Sequence, residues 1–196
     1  MKIDVLKPLS FRRGVGVRSR GLYDPDIKRE IPMSLSSSFL GEFDNEMANT
    51  RKTLERVPTD KLAWQPHDKS MTLGRLASHI AEMPIWATRI VHLSEYDFAA
   101  GGFMRLNLGS TDEIVEALDK NLAEAREAVA GAGDEALREK WTLRRGDHVI
   151  FSLPRIAVLR TMVLNHIIHH RGQLTVYLRL NDAPVPALYG PSADES

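Results

Sequence analysis

Apolar side chains recur every three or four residues in four separate segments of this 196-residue chain. Because this spacing places them on one face of an α-helix, each segment is predicted to form an amphipathic helix. The segments begin close to residues 36, 72, 111 and 155, and the last one meets no helix breaker before Asn181. Each apolar face must be buried against another helix, so the pattern predicts an all-α fold, a four-helix bundle.

Local signals mark the ends of these helices. Ser70 or Thr72 is expected to cap the second helix, and Ser110 begins a capping box with Glu113 ahead of the third. Pro84 lies inside the second helix, where it removes a backbone donor, so a kink is predicted just before it. The piece between the third and fourth helices, residues 141–151, is predicted to be either a short hairpin or an irregular loop.

The first 32 residues differ from the rest of the chain. They contain eight basic and four acidic residues, are interrupted by glycine, and lack a helical period. We interpret residues 1–32 as a poorly structured basic extension that precedes a bundle domain over residues 33–196. The alternatives are a basic arm that binds a partner and a native start at Met33.

The composition limits the chemistry. Lysine plus arginine equals aspartate plus glutamate at 26 each, so no overall charge favours nucleic acid or an anionic membrane surface. The absence of cysteine excludes disulfides, thiolate metal sites and a cysteine nucleophile, so any reacting thiol must belong to a substrate. No apolar run reaches the length of about 18 residues that a membrane span requires. We therefore expect a cytoplasmic protein.

Three of the seven histidines occupy positions where apolar side chains are expected. His79 lies on the apolar stripe of the second helix, and His166 and His170 lie four residues apart in the fourth, on one face. Each alone could be a core histidine bonded to the backbone. Burying three imidazoles unpaired would cost a few kcal/mol each, whereas one shared metal ion satisfies all three. The sequence thus predicts a divalent metal site with open coordination positions on His79, His166 and His170.

The remaining histidines are expected to lie outside this site. His169 is rotated about 100° from His170 around the helix, and the others fall in connections or near helix ends (His67, His92, His148). Glu82 is expected to be a solvated helix residue, with a role as acceptor for His79 as the alternative. Three arginines are candidates to bind an anionic group of a substrate, namely Arg75, Arg89 and Arg171, and a structural role is the alternative for Arg171.

Two histidine-containing segments resemble motifs of a known superfamily. Residues 165–174, NHIIHHRGQL, resemble the C-terminal motif of the DinB/YfiT-like superfamily, and residues 76–80, LASHI, resemble its earlier histidine motif. The resemblance covers roughly residues 34–180. It implies an up-down-down-up four-helix bundle, commonly a homodimer. It also implies a divalent metal, zinc or nickel with iron or manganese as alternatives, on His79, His166 and His170.

The resemblance also suggests a class of reaction. Characterised relatives include thiol S-transferases that use bacillithiol or glutathione and the mycothiol-dependent maleylpyruvate isomerase. The resemblance implies a metal-dependent transferase that joins a small-molecule thiol to an electrophile. The balanced charge favours no nucleic-acid or membrane partner. A metal-dependent hydrolase and a non-enzymatic, stress-linked metal-binding dimer remain open, because substrate does not follow from fold. The sequence assigns no catalytic residue beyond the metal ligands.

Overall fold

Helices form most of the chain that the computed structural model describes, namely residues 33–102 and 105–196. The predicted basic extension, residues 1–32, lies outside the described residues. The helices are α1 (Leu35–Leu54), α2 (Leu73–Glu82), α3 (Ile85–His92), α4 (Thr111–Gly131), α5 (Asp134–Arg138), α6 (Arg155–Val158) and α7 (Asn165–Leu180). A π-helical turn, Leu159–Leu164, joins α6 to α7.

Hydroxyl side chains cap the three helices that begin after polar residues. The side chains of Ser34, Thr72 and Ser110 accept hydrogen bonds from backbone N–H groups in the first turns of α1, α2 and α4, respectively, at 3.1–3.2 Å. These bonds satisfy donors that have no partner within the helix. Of the two predicted caps for α2, the structure selects Thr72.

The predicted count of four helices is not reproduced, because two of the predicted helices are divided and α5 is added. Pro84 has no N–H group, and the chain tightens before it, where the Met83 N–H donates to the Ile80 carbonyl at 3.3 Å. The predicted second helix is therefore interrupted between α2 and α3. The predicted fourth helix is divided by the π-helical turn, in which the Asn165 N–H reaches the Arg160 carbonyl, five residues back.

The all-α prediction is confirmed only in part, because the mostly helical chain also contains a small mixed sheet. Its strands are β1 (Glu95–Asp97), β2 (Lys140–Arg145) and β3 (His148–Pro154), in the order β1-β2-β3. β1 and β2 form a parallel pair, and β2 and β3 form an antiparallel pair. Trp141 and Leu143 are buried on one face of β2, with the half-buried Thr142 between them. This alternation is the pattern of a strand, so the hairpin alternative for residues 141–151 is correct.

The helices bury a continuous apolar core. Its members include Phe39 and Phe43 of α1, whose rings stack at 5.4 Å, and Trp86 of α3. α4 packs against α1, α2 and α3, while α7 packs against α1 and α2. This arrangement places α2 and α7 side by side. Among the described residues, none of the helices combines the length and apolarity needed to cross a bilayer.

Candidate metal centre

Three histidine side chains converge where α2 packs against α7. His79 comes from α2, and His166 and His170 come from successive turns of α7. The centroid of the His79 ring lies 5.3 Å from the centroid of the His166 ring and 4.8 Å from that of the His170 ring. The centroids of the His166 and His170 rings lie 4.6 Å apart. One ligand nitrogen from each ring lies within 4.8 Å of the other two. The structure thus brings together the three histidines named from the sequence, and such a group can hold a metal ion.

Burial keeps two of these rings in the neutral form that binds metals. His170 is 8% exposed. Loss of hydration is the main cause that lowers its pKa to about 4. The hydrogen bond with Gln173 raises the pKa, whereas the neighbouring His166 and His79 rings lower it further. Burial also lowers the pKa of His166, with a further contribution from His79. At neutral pH both rings are therefore unprotonated on one nitrogen, and that nitrogen can act as a ligand.

Two of the rings are oriented by a hydrogen bond that uses one of their nitrogens. His79 Nδ1 lies 2.8 Å from Glu82 Oε1, and His170 Nδ1 lies 2.8 Å from Gln173 Oε1. The backbone of Met162, in the π-helical turn, lies near the His166 ring and partly opposes the lowering of the His166 pKa. Acceptors of this kind fix the ring orientation and the tautomer of metal-binding histidines. The second nitrogen of the His79 ring and that of the His170 ring remain available to a shared ion.

Glu82 is a buried part of the site, so the prediction of a solvated helix residue is wrong and the alternative, an acceptor for His79, is correct. Its side chain is 1% exposed. Burial by itself would raise the pKa of Glu82, but hydrogen bonds from His79, Arg75 and the Leu106 N–H outweigh this effect and lower the pKa. The spacing carried a usable signal, because a carboxylate three residues after a helical histidine lies on the same side of the helix.

A cavity of about 290 Å³ opens beside the histidines. His170 and its partner Gln173 form part of its wall, so a molecule in the cavity would lie next to the metal-binding group. The other lining residues mix a cationic group, hydroxyls and apolar surface, namely Lys69, Ser70, Met71, Leu76 and Tyr177. This lining suits a small molecule that has both polar and apolar parts.

The other predicted candidates lie outside the three-histidine group. His169 is exposed although its ring contacts that of His170 at 5.0 Å, and His67, His92 and His148 are exposed as expected. Of the three arginines, Arg75 lies at the site but is paired with Glu82. The others have structural contacts, in which Arg89 stacks on Trp86 and Tyr96, and Arg171 pairs with Glu46.

The donor set fits a divalent transition metal. Imidazole nitrogen suits zinc, nickel, copper and iron, and thiolate ligands are excluded because the chain has no cysteine. Three protein ligands leave coordination positions for water or a substrate, as in catalytic sites, whereas structural zinc sites are closed by four protein ligands. His79, His166 and His170 would hold the ion.

The chain is similar to proteins of one family over most of its length. Residues 33–196 match the DinB family. The protein YrdA of Bacillus subtilis, itself uncharacterized, is 27% identical over 162 residues, which cover 80% of this chain and 89% of YrdA. A crystal structure of a DinB-like protein from Bacillus cereus is similar with a TM-score of 0.58 and 25% identity, covering 77% of this chain and 95% of that chain.

A second solved structure has the same fold. It is the DinB-like protein YjoA from Bacillus subtilis, with a TM-score of 0.60 and 16% identity, covering 76% of this chain and 95% of that chain. The mostly helical fold of this chain therefore recurs in other DinB-like proteins.

Proposed function

Because the chain belongs to the DinB family, we propose that it is a divalent-metal-dependent enzyme that transfers a low-molecular-weight thiol to an electrophilic substrate. One observation carries the proposal, namely that His170 belongs to the three-histidine group and also lines the adjacent cavity. A small molecule in this cavity would reach the open coordination positions. Zinc or nickel suits the donor set, with iron or manganese as alternatives.

The metal would supply the activation of the thiol. A bound divalent cation lowers the pKa of a coordinating thiol, so that the thiolate exists at neutral pH. The thiol belongs to the substrate because the chain has no cysteine. In the transfer, the sulfur–hydrogen bond of the thiol breaks and its proton passes to water. The sulfur then forms a bond to the electrophilic carbon, and the leaving group departs from that carbon with the electron pair of its broken bond.

The protein's own residues would bind and orient the reactants. The three histidines would hold the ion, and the hydrogen bonds of His79 to Glu82 and of His170 to Gln173 would keep these two rings in place. Lys69 at the cavity offers a cation for an acidic group of the thiol, while Met71 and Tyr177 offer apolar contact.

A conjugation assay with matched metal-free and metal-loaded protein tests this function. The protein is stripped with a chelator, reloaded with zinc or nickel, and assayed with glutathione, bacillithiol or mycothiol against chlorodinitrobenzene. We expect conjugation that follows metal occupancy, is lost in His166→Ala, and persists in His169→Ala. Metal-dependent hydrolysis of esters or amides without a thiol would instead identify a hydrolase. Inactivity in both assays would favour a non-enzymatic metal-binding protein.

A further inference from the structure

We propose that Glu82 is a positioning residue of the candidate metal centre. Its carboxylate holds the His79 ring through Nδ1, so that Nε2 of this ring faces His166 and His170. The inference rests on the proposed metal site but not on the thiol chemistry. His79 is the one member of the group that comes from α2, whereas the other two come from α7. The orientation of this ring therefore decides whether three nitrogens or two converge.

The carboxylate of Glu82 is surrounded by donors. Oε1 accepts from His79 Nδ1 at 2.8 Å and from Arg75 Nη2 at 2.6 Å, and Oε2 accepts from the Leu106 N–H at 2.8 Å. Arg75 Nη2 also lies 3.4 Å from His79 Nδ1. Of these two contacts of His79 Nδ1, the shorter one, to Glu82 Oε1, decides the tautomer. A carboxylate oxygen can only accept a hydrogen bond, so Nδ1 must carry the hydrogen. In the neutral ring this leaves the lone pair on Nε2.

Glu82 is also anchored independently of His79. Arg75 Nη1 donates to the Leu106 carbonyl at 2.8 Å, so Arg75 and Glu82 together bind both backbone groups of Leu106. The same segment is attached again where the Leu108 N–H donates to Ser78 Oγ at 3.2 Å. Because these bonds fix the carboxylate from two sides, Glu82 can set the orientation of His79 and need not follow it.

Glu82→Gln tests the proposal with a side chain of nearly the same size. Its single amide oxygen cannot accept hydrogen bonds from all the donors that now bind the two carboxylate oxygens. Its amide NH2 group would face one of these donors and could not accept from it. We expect zinc affinity to fall by about 10–100-fold, the usual effect of losing such an acceptor. Affinity is measured in the full chain by competition with a chromophoric chelator.

The tautomer of His79 gives a second readout that a general loss of stability would not produce. Nitrogen NMR of the metal-free protein should show a protonated Nδ1 on His79 in the wild type and a mixture of tautomers in Glu82→Gln. Glu113→Gln is the matched control. Glu113 also accepts a backbone N–H near this segment, from Gly109 at 2.7 Å, but no hydrogen bond connects it to a histidine. It should leave zinc affinity within about twofold and the tautomer unchanged.

The outcomes separate this inference from the proposed function. Unchanged zinc affinity and an unchanged His79 tautomer in Glu82→Gln would overturn the positioning role, whatever the enzymatic activity. Zinc binding that depends on Glu82 in a protein without thiol transfer would support the positioning role and contradict the transferase. If the wild type binds no zinc, the tautomer of the metal-free protein still decides whether Glu82 sets the ring.

Discussion

His169 and His170 are adjacent in the chain but lie in different surroundings. His170 is 8% exposed and joins His79 and His166, whereas His169 is exposed and stands outside the group. One residue corresponds to a rotation of about 100° around a helix, which is enough to move a side chain from the interior to the surface. This pair therefore offers a matched comparison at the level of single residues.

We predict about one divalent ion per chain, lost or strongly weakened in His166→Ala and in His170→Ala. Each of these residues would supply one of the three protein ligands, so two remaining nitrogens should hold the ion far less tightly. His169→Ala should keep wild-type occupancy. Elemental analysis of the purified proteins measures the effect. Wild-type metal content in a His166→Ala/His170→Ala double variant would show that the site is misassigned.

At the level of elements, α7 is attached to α1 by a buried ion pair next to the histidines. Arg171 is 2% exposed and donates to Glu46 Oε2 at 2.6 Å and to the Glu46 carbonyl at 2.8 Å. Tyr189, in the segment after α7, donates to the same carboxylate at 2.6 Å and also bonds to Arg171. The residue that the sequence offered as a substrate-binding candidate thus joins α1, α7 and the C-terminal segment.

We predict that Arg171→Met lowers the free energy of unfolding by about 3–5 kcal/mol, because it leaves the Glu46 carboxylate buried without its cationic partner. The Glu46→Met/Arg171→Met double variant should recover most of this loss. Arg160→Met is the control, since Arg160 pairs with Glu42 at the surface and its loss should cost less than about 1 kcal/mol. Urea denaturation of the metal-free proteins measures all three. Equal effects of Arg171→Met and Arg160→Met would contradict a special role for the buried pair.

At the level of the whole molecule, the expected homodimer now has different support. Besides the resemblance, the tryptophans and methionines near the predicted second helix favour a dimer, because they exceed what a thin bundle readily buries. Met83 and Trp86 are instead buried within one chain. Exposed apolar side chains occur on β3, at Val149, Ile150 and Leu153. A strand with apolar residues at the edge of a sheet is a common site of association, so we retain the dimer as a proposal.

We predict that the full chain and a variant lacking residues 1–32 are both dimers and melt at similar temperatures. The deleted residues lack an amphipathic period, so they have little means of burying apolar surface against the rest of the chain. Light scattering at micromolar concentration and thermal melting test the two claims. A monomeric full chain would remove the dimer, and a fall in melting temperature of more than about 10 °C would show that the extension packs on the domain.

The sequence by itself determined the helical segments and the positions of the three histidines on them. Both depend on spacings of three or four residues, which a helix converts directly into a shared face. The tertiary structure decided the sheet, because β1 pairs with β2 through residues far apart in the chain, such as Glu95 and Thr142. Nothing in the three residues of β1 alone distinguishes a strand from a loop.

The surroundings of the histidines were also decided by the tertiary structure. Glu82 is buried because Arg75 and the Leu106 N–H, from a segment 24 residues further along the chain, supply the donors that replace water. Arg171 is buried because Glu46 of α1 faces it across the packed helices. Periodicity shows which side of a helix a residue occupies. Whether a charged residue can be buried there depends on the partners that packing brings to it.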